Sequence, residues 1–202
     1  MTQLPKYLYR GDADPHNKRK LKETFKSGLL LTNLCNGGNG REIFRNTLEN
    51  LVNKHITVSW DKTHFLSFST NEQTAFSYGA NGREHFEVYD DFEIWDFTIL
   101  TFDTSLLISD SIQQISDGIF KADFFPTCNE FSPTYKVVII DTLSHLISIS
   151  NKNTIDYSTA INNAKKDNEW LILPASPFGY NGEFTAKFDT ACITDKKLFR
   201  YE

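Results

Sequence analysis

Only three cysteines occur in the chain, Cys35, Cys128 and Cys192, and no two of them form a CxxC pair. An odd, scattered set excludes a disulfide scaffold and reads as reduced, buried thiols. The five histidines, His16, His55, His64, His85 and His145, show no HExxH or other metal spacing. No metal is therefore expected. No apolar run approaches the roughly 18 residues that a bilayer span needs, so no membrane partner is expected. The opening Met1-Thr2-Gln3-Leu4-Pro5-Lys6-Tyr7 has no apolar h-region. The expectation is a protein made in the cytoplasm without a signal peptide, with delivery by a dedicated apparatus left open. Basic charge is also short: 21 Lys and Arg stand against 26 Asp and Glu, a formal net charge of −5, with no basic stripe. Broad binding to duplex nucleic acid is thereby disfavoured. There is no repeat, low-complexity segment or clear linker, so residues 1–202 read as a single domain.

What is present is aromatic. Seventeen Phe, eight Tyr and three Trp favour strands and stacking surfaces. Residues 7–10 read as a short strand ended by the turn chemistry of Gly11-Asp12-Ala13-Asp14-Pro15. A polar helix is expected over 17–26, with Leu21 and Phe25 inward and Gly28 closing it, then a loop at 36–40. An amphipathic helix follows over 41–54, where Ile43, Phe44, Leu48, Leu51 and Val52 keep a period near 3.6. The run His64-Phe65-Leu66-Ser67-Phe68-Ser69 alternates as a half-buried strand. A helix should follow it, capped by Thr70 with Gln73 or by Ser69 with Glu72. Further strands are expected at 84–90, 93–102, 134–141 and 144–150, and a helix over 157–166. Glu169-Trp170-Leu171-Ile172-Leu173 reads as a strand stopped by Pro174. Short strands at 183–189, 191–194 and 197–201 finish the chain. Residues 103–133 resist assignment.

Three segments carry residues that their elements do not require. In Tyr9-Arg10-Gly11-Asp12 an arginine sits at a strand end, where its fork of donors suits a phosphate or a carboxylate. In Ser67-Phe68-Ser69-Thr70 two hydroxyls at strand positions i and i+2 share a face. In Asp167-Asn168-Glu169 a carboxylate stands at the mouth of an apolar strand. Each has a plainer reading by itself: a surface arginine paired with an acid, an edge strand with solvated hydroxyls, a polar turn before a strand.

Together and in this order, the three segments resemble the ADP-ribosyltransferases of the R-S-E class, whose pattern is an arginine, a Ser-Thr-Ser strand and Glu/Gln-x-Glu. The likeness is nearest to the A-subunits of cholera toxin and heat-labile enterotoxin, then pertussis toxin. Leu8-Tyr9-Arg10-Gly11-Asp12 with Phe25-Lys26-Ser27-Gly28-Leu29 looks like the opening strand, turn, helix and glycine of that group. Phe65-Leu66-Ser67-Phe68-Ser69 with Ala75 looks like its Ser-Thr-Ser strand and the helix after it. The stretch from Phe92 to Phe102 resembles its next strand pair. About half of the chain is covered; residues 103–150 and the last 25 match nothing in the family pattern.

The resemblance implies an α+β fold with two packed β-sheets, flanking helices and an NAD cleft between the sheets. It implies mono-ADP-ribosyl transfer from NAD+ to a protein side chain, with nicotinamide released and no metal. Arg10, with Gly11 and Asp12 beside it, would bind the NAD+ phosphates and shape the nicotinamide pocket. Ser67, with Ser69 as the alternative if the register slips, would hold the catalytic Glu169. Glu169 would bind the ribose next to nicotinamide, and Asp167 would orient or deprotonate the acceptor. Phe68, Phe76 and Tyr78 are candidates to stack on nicotinamide or adenine, with core packing as the plainer role of each.

Two departures stand out: Phe68 replaces the middle residue of Ser-Thr-Ser, and Asp167 is one methylene shorter than the Glu or Gln of the family. An aspartate still pairs with a guanidinium, so protein arginine is the first choice of acceptor. The rival readings are an NAD+ glycohydrolase of the same fold and an inactive NAD-binding module. A nucleic-acid acceptor runs against the acidic balance, with a single flipped base still open. The biological setting the resemblance implies is a toxin or a translocated effector.

Overall fold

The computed structural model describes residues 3–12, 41–57, 65–81, 86–88, 97–125, 134–175 and 192–201. The helix expected over 17–26, the loop at 36–40, the strand at 183–189, and Cys35 and Cys128 lie outside the described residues. The fold is mixed α and β, built on an antiparallel sheet. Its strands are β1 (Tyr7–Asp12), β2 (Leu66–Ser69), β3 (Phe86–Val88), β4 (Phe97–Asp103), β5 (Gln113–Ser116), β6 (Ile119–Phe124), β7 (Tyr135–Asp141), β8 (Glu169–Ala175) and β9 (Ile193–Tyr201). Four α-helices stand among the described residues: α1 (Arg41–Thr57), α2 (Glu72–Ala80), α3 (Thr142–Ser150) and α4 (Ser158–Asp167).

Two separate sheets were expected; hydrogen bonding instead links nine strands in one ladder, β3-β9-β4-β1-β2-β8-β7-β6-β5. The ladder cannot be flat. Five strand steps separate β4 from β6, about 24 Å in a flat sheet at roughly 4.8 Å per step. Yet Ile108, five residues past the end of β4, donates its backbone N–H to Asp123 of β6. Five residues span at most about 18 Å when fully extended, and three of these, Thr104–Leu106, are wound in a 3-10 turn that shortens the reach well below that. The sheet therefore curls, and its halves share a core in which Leu8, Phe68 and Phe102 join Phe120, Phe124 and Ile139.

Period-2 alternation assigns the faces. In β7, Val137 and Ile139 enter that inner core, while Val138 and Ile140 pack under the helices. In β8, Trp170 and Ile172 go inward, and Leu171 and Leu173 meet α1, α3 and α4. These strands are covered on both faces, so they read as continuous apolar runs instead of alternating ones. Leu66 and Phe68 of β2 also point inward, leaving Ser67 and Ser69 on the helix side.

Several boundaries differ from expectation. β1 runs through Gly11 and Asp12, which pair with Ile99 and Thr98. β8 runs through Pro174, which pairs with Val137; on its other side β2 has already ended, at Leu66 opposite Ile172. Residues 142–150 form a helix, not a strand. Asp141 caps it by accepting from the Ser144 N–H, and Thr142, His145, Leu146 and Ile149 bury one helical face. The N-cap of α2 is Asn71, accepting from the Gln73 N–H, and not Thr70 or Ser69. The strands expected at 191–194 and 197–201 are one strand, β9. Within 103–133, Asp117-Gly118 turns a β5–β6 hairpin, with Gly118 at φ 69°.

His145 is buried, and its Nε2 has no hydrogen-bond partner. Burial, the largest cause, holds its imidazole down to about 4. A depressed base contributes stability that is complete above its unfolded value near 6.5 and fades as pH falls through about 4. His145→Leu is therefore expected to remove roughly 3 kcal/mol of acid destabilisation between pH 6.5 and 4. Urea unfolding of both proteins across that window measures it; parallel pH curves would contradict it.

Candidate active site

The cleft begins where β1 leaves β2. β1 pairs with β4 along six residues, but with β2 only at Tyr9 opposite Ser69. Beyond that bridge the two strands part. The carbonyl of Ser67 lies in the parted region, and the Arg10 guanidinium donates to it through Nη1 at 3.1 Å. A strand split thus opens the sheet, and an arginine from one lip is anchored on the other.

β2 pairs with β8 across four residues, with Ser67 opposite Leu171 and Ser69 opposite Glu169. Directly opposed residues share a face, so Ser67, Ser69 and Glu169 stand together on the helix side. The start of β8 is fixed from three directions. Asn168 adopts the left-handed conformation, φ 47° and ψ 47°, and turns the chain from α4 into β8. Thr142, at the first turn of α3, donates its hydroxyl to the Glu169 carbonyl. Ser69 Oγ donates to the Asp167 carbonyl at 2.7 Å and accepts from the Asn71 N–H at 3.0 Å. Ser69 thereby serves the backbone at both strand ends, which separates its role from that of Ser67.

Ser67 stands on the same face as Glu169, two positions along the β2–β8 register. His55 Nε2 lies 2.7 Å from Ser67 Oγ and 3.8 Å from Glu169 Oε1. His55 also meets Phe65 edge-on, with centroids 5.7 Å apart, which fixes the ring plane.

Glu169 is largely sequestered, with a side chain 14% exposed. Burial, the largest effect, pushes its carboxyl up to about 7. The Ser67 hydrogen bond and the Arg10 charge pull it down, and the Asp167 charge pushes it up. Asp167 ends α4, and its Oδ2 accepts from the Tyr78 hydroxyl at 2.6 Å. These side chains line a cavity of about 600 Å³, to which Lys166 and Asn163 of α4 also contribute.

Of the residues expected from sequence, Arg10, Ser67, Ser69, Asp167 and Glu169 come together here. Gly11 lines the cavity too, but its need for glycine is steric. A Cβ at Gly11 would lie 1.9 Å from the Ala75 carbonyl oxygen and 2.5 Å from the Gly79 nitrogen, so α2 rests directly on β1. The Asp12 backbone pairs in β1; its side chain lies outside the described residues. Phe68 is core, tilted on Phe102, and Phe76 packs edge-on against Phe97 and Phe199. Tyr78 alone of the three aromatics presents an exposed ring beside the cavity.

His55 is the residue that sequence reasoning missed. The expected helix stopped at residue 54, whereas α1 continues to Thr57. Its signal was there: His55 follows Leu48, Leu51 and Val52 by seven, four and three positions, on the same buried face. Among the described residues no group of three or more His, Cys, Asp or Glu is placed to hold a metal ion. No helix among them is long and apolar enough to cross a membrane. No family model, curated protein or solved structure matches the chain, so a functional reading rests on this geometry and on the motif resemblance.

Proposed function

We propose that the chain is a mono-ADP-ribosyltransferase that splits NAD+ between ribose and nicotinamide and passes ADP-ribose to a protein side chain, arginine being the first choice. The observation that carries the proposal is the convergence of Arg10, Ser67 and Glu169 at the split between β1 and β2. Their order along the chain is the one the R-S-E resemblance implies.

The residue types suit the chemistry. Loss of nicotinamide builds positive charge on the ribose, as in glycoside cleavage. The Glu169 carboxylate beside the ribose carbon stabilises that charge more in the transition state than in the ground state. Ser67 and His55 hold the carboxylate in one orientation, so no reorganisation is needed when charge develops. Arg10 and Lys166 supply cations for the two phosphates, and the cavity is within the usual size range for a ligand of this class. Nicotinamide leaves with the electron pair of the broken bond. The acceptor's lone pair closes on the ribose carbon from the Asp167 side.

The competing reading with an observation behind it is an NAD+ glycohydrolase, since Asp167 is one methylene short of the family residue. Adenylate-labelled NAD+ with and without cell lysate separates the two. Transfer predicts acid-precipitable label that Arg10→Ala and Glu169→Gln abolish. Free ADP-ribose with no labelled macromolecule would establish hydrolysis.

The reading carries a pH dependence. Glu169 must be ionised, and its carboxyl titrates near 7. kcat/KM for nicotinamide release is therefore expected to rise about tenfold per pH unit below 7 and level off above it. Initial rates between pH 5.5 and 8.5 test this. A profile flat across that range would remove Glu169 ionisation from the mechanism.

A further inference from the structure

Asp167 and Tyr78 form a contact that NAD+ cleavage does not use. Asp167 is the last residue of α4, where the helix dipole disfavours a negative charge. A carboxylate kept there needs a donor. One comes from across the cleft: the Tyr78 hydroxyl, in the last turns of α2, donates to Asp167 Oδ2 at 2.6 Å. Tyr78 is 57% exposed, so its placement owes little to core packing. It owes more to the backbone contact of α2 with β1 at Gly11 and Gly79, where the Cα of Gly11 lies 3.4 Å from a Cβ built on Gly79. The Asp167 backbone is pinned separately, through its carbonyl, by Ser69. The main chain of Asp167 is thus held by β2 and its carboxylate by α2. Burial and the Asp167 contact push the Tyr78 hydroxyl above its ordinary value, so it stays protonated and remains a donor throughout the working pH range.

We infer that Tyr78 is a positioning residue for the acceptor half of the reaction: its phenol engages one oxygen of Asp167 and leaves the other to take the acceptor's proton. This rests on the NAD+ reading above and goes beyond it by assigning the choice between transfer and hydrolysis to a residue outside the Arg-Ser-Glu set. In the step concerned, the acceptor's lone pair forms the bond to the ribose carbon while the bond to nicotinamide breaks. Nicotinamide keeps that electron pair. The proton of the acceptor N–H or O–H passes to Asp167 and then to solvent. An aspartate one methylene shorter than the family's glutamate has less reach and fewer rotamers, and the phenol fixes which of them it uses. Without the phenol, Asp167 turns toward solvent and water competes for the ribose carbon.

The test is the partition of adenylate-labelled NAD+ in the presence of lysate protein, read as acid-precipitable label per nicotinamide released. Tyr78→Phe keeps the ring and loses only the hydroxyl. It is expected to lower that ratio at least tenfold while total nicotinamide release changes by less than about twofold. Asp167→Asn should lower the ratio similarly, and the double variant should add nothing further, because both act through one contact. A purely structural role would move both readouts together. An unchanged ratio in Tyr78→Phe, or parallel loss of label and nicotinamide, overturns the inference and leaves the NAD+ reading standing. Wild-type release of nicotinamide without labelled protein overturns it in favour of hydrolysis. No nicotinamide from wild type overturns the NAD+ reading itself and this inference with it.

Discussion

Glu169→Gln is expected to raise the thermal midpoint at pH 8 by roughly 6–12 °C while lowering nicotinamide release at least 100-fold. Both effects have one cause. Burial holds the Glu169 carboxyl up to about 7, against an ordinary value near 4.5. A carboxyl raised on folding contributes stability that is complete below its unfolded value and is lost as pH rises through about 7. At pH 8 the folded protein therefore carries a buried charge that costs roughly 3 kcal/mol. Glutamine has nearly the same shape and carries no charge. For a chain of this length each kcal/mol moves Tm by about 2–4 °C. At pH 3 the gain should vanish, because glutamic acid is then protonated in both states. The catalytic loss follows because a neutral amide cannot offset the positive charge on the ribose, and removing one preorganised group of this kind costs on the order of 100-fold or more. Scanning calorimetry at the two pH values, beside a rate assay, measures both sides. Equal midpoints at pH 8 would show that the Glu169 charge is not destabilising.

Gly11→Ala is expected to destabilise the fold by about 3 kcal/mol or more and to remove activity, although alanine carries no chemistry. Its Cβ would meet the Ala75 carbonyl oxygen at 1.9 Å and the Gly79 nitrogen at 2.5 Å. Both are backbone atoms, so no rotamer change relieves the overlap. Either α2 lifts off β1 or β1 bends at its paired segment, where Gly11 faces Ile99. Lifting α2 carries Tyr78 away from Asp167, and bending β1 carries Arg10 away from Ser67. Urea unfolding should show a lower midpoint with an unchanged slope. Stability within 1 kcal/mol of wild type would mean that β1 and α2 do not meet as described.

The sequence made the chemistry-bearing residues more legible than their surroundings. Arg10, Ser67 and Glu169 stood out because their elements had no structural use for them, and they meet at one strand split. The curl of the sheet was not legible, because it follows from a contact between Ile108 and Asp123 that no local pattern encodes. Residues 144–150 read as a strand because Ile147 and Ile149 alternate with serines; the Asp141–Ser144 cap and the 142, 145, 146, 149 periodicity decide for a helix. His55 escaped notice because a histidine on a buried helical face looks like core, and helix ends are blurred by one or two residues. Tyr78 read as a candidate to stack on nicotinamide or adenine, with core packing as its plainer role; its hydroxyl instead meets Asp167, a partner 89 positions away in the chain.

The central claim is that the split between β1 and β2 forms a site that cleaves NAD+. The direct measurement is a chromatographic time course of nicotinamide released from NAD+ by the purified protein at pH 8, with Glu169→Gln as the comparator. Multiple turnovers by the wild-type protein, reduced at least 100-fold by the substitution, are the result predicted. No nicotinamide from the wild-type protein, or equal release by the two proteins, would contradict it.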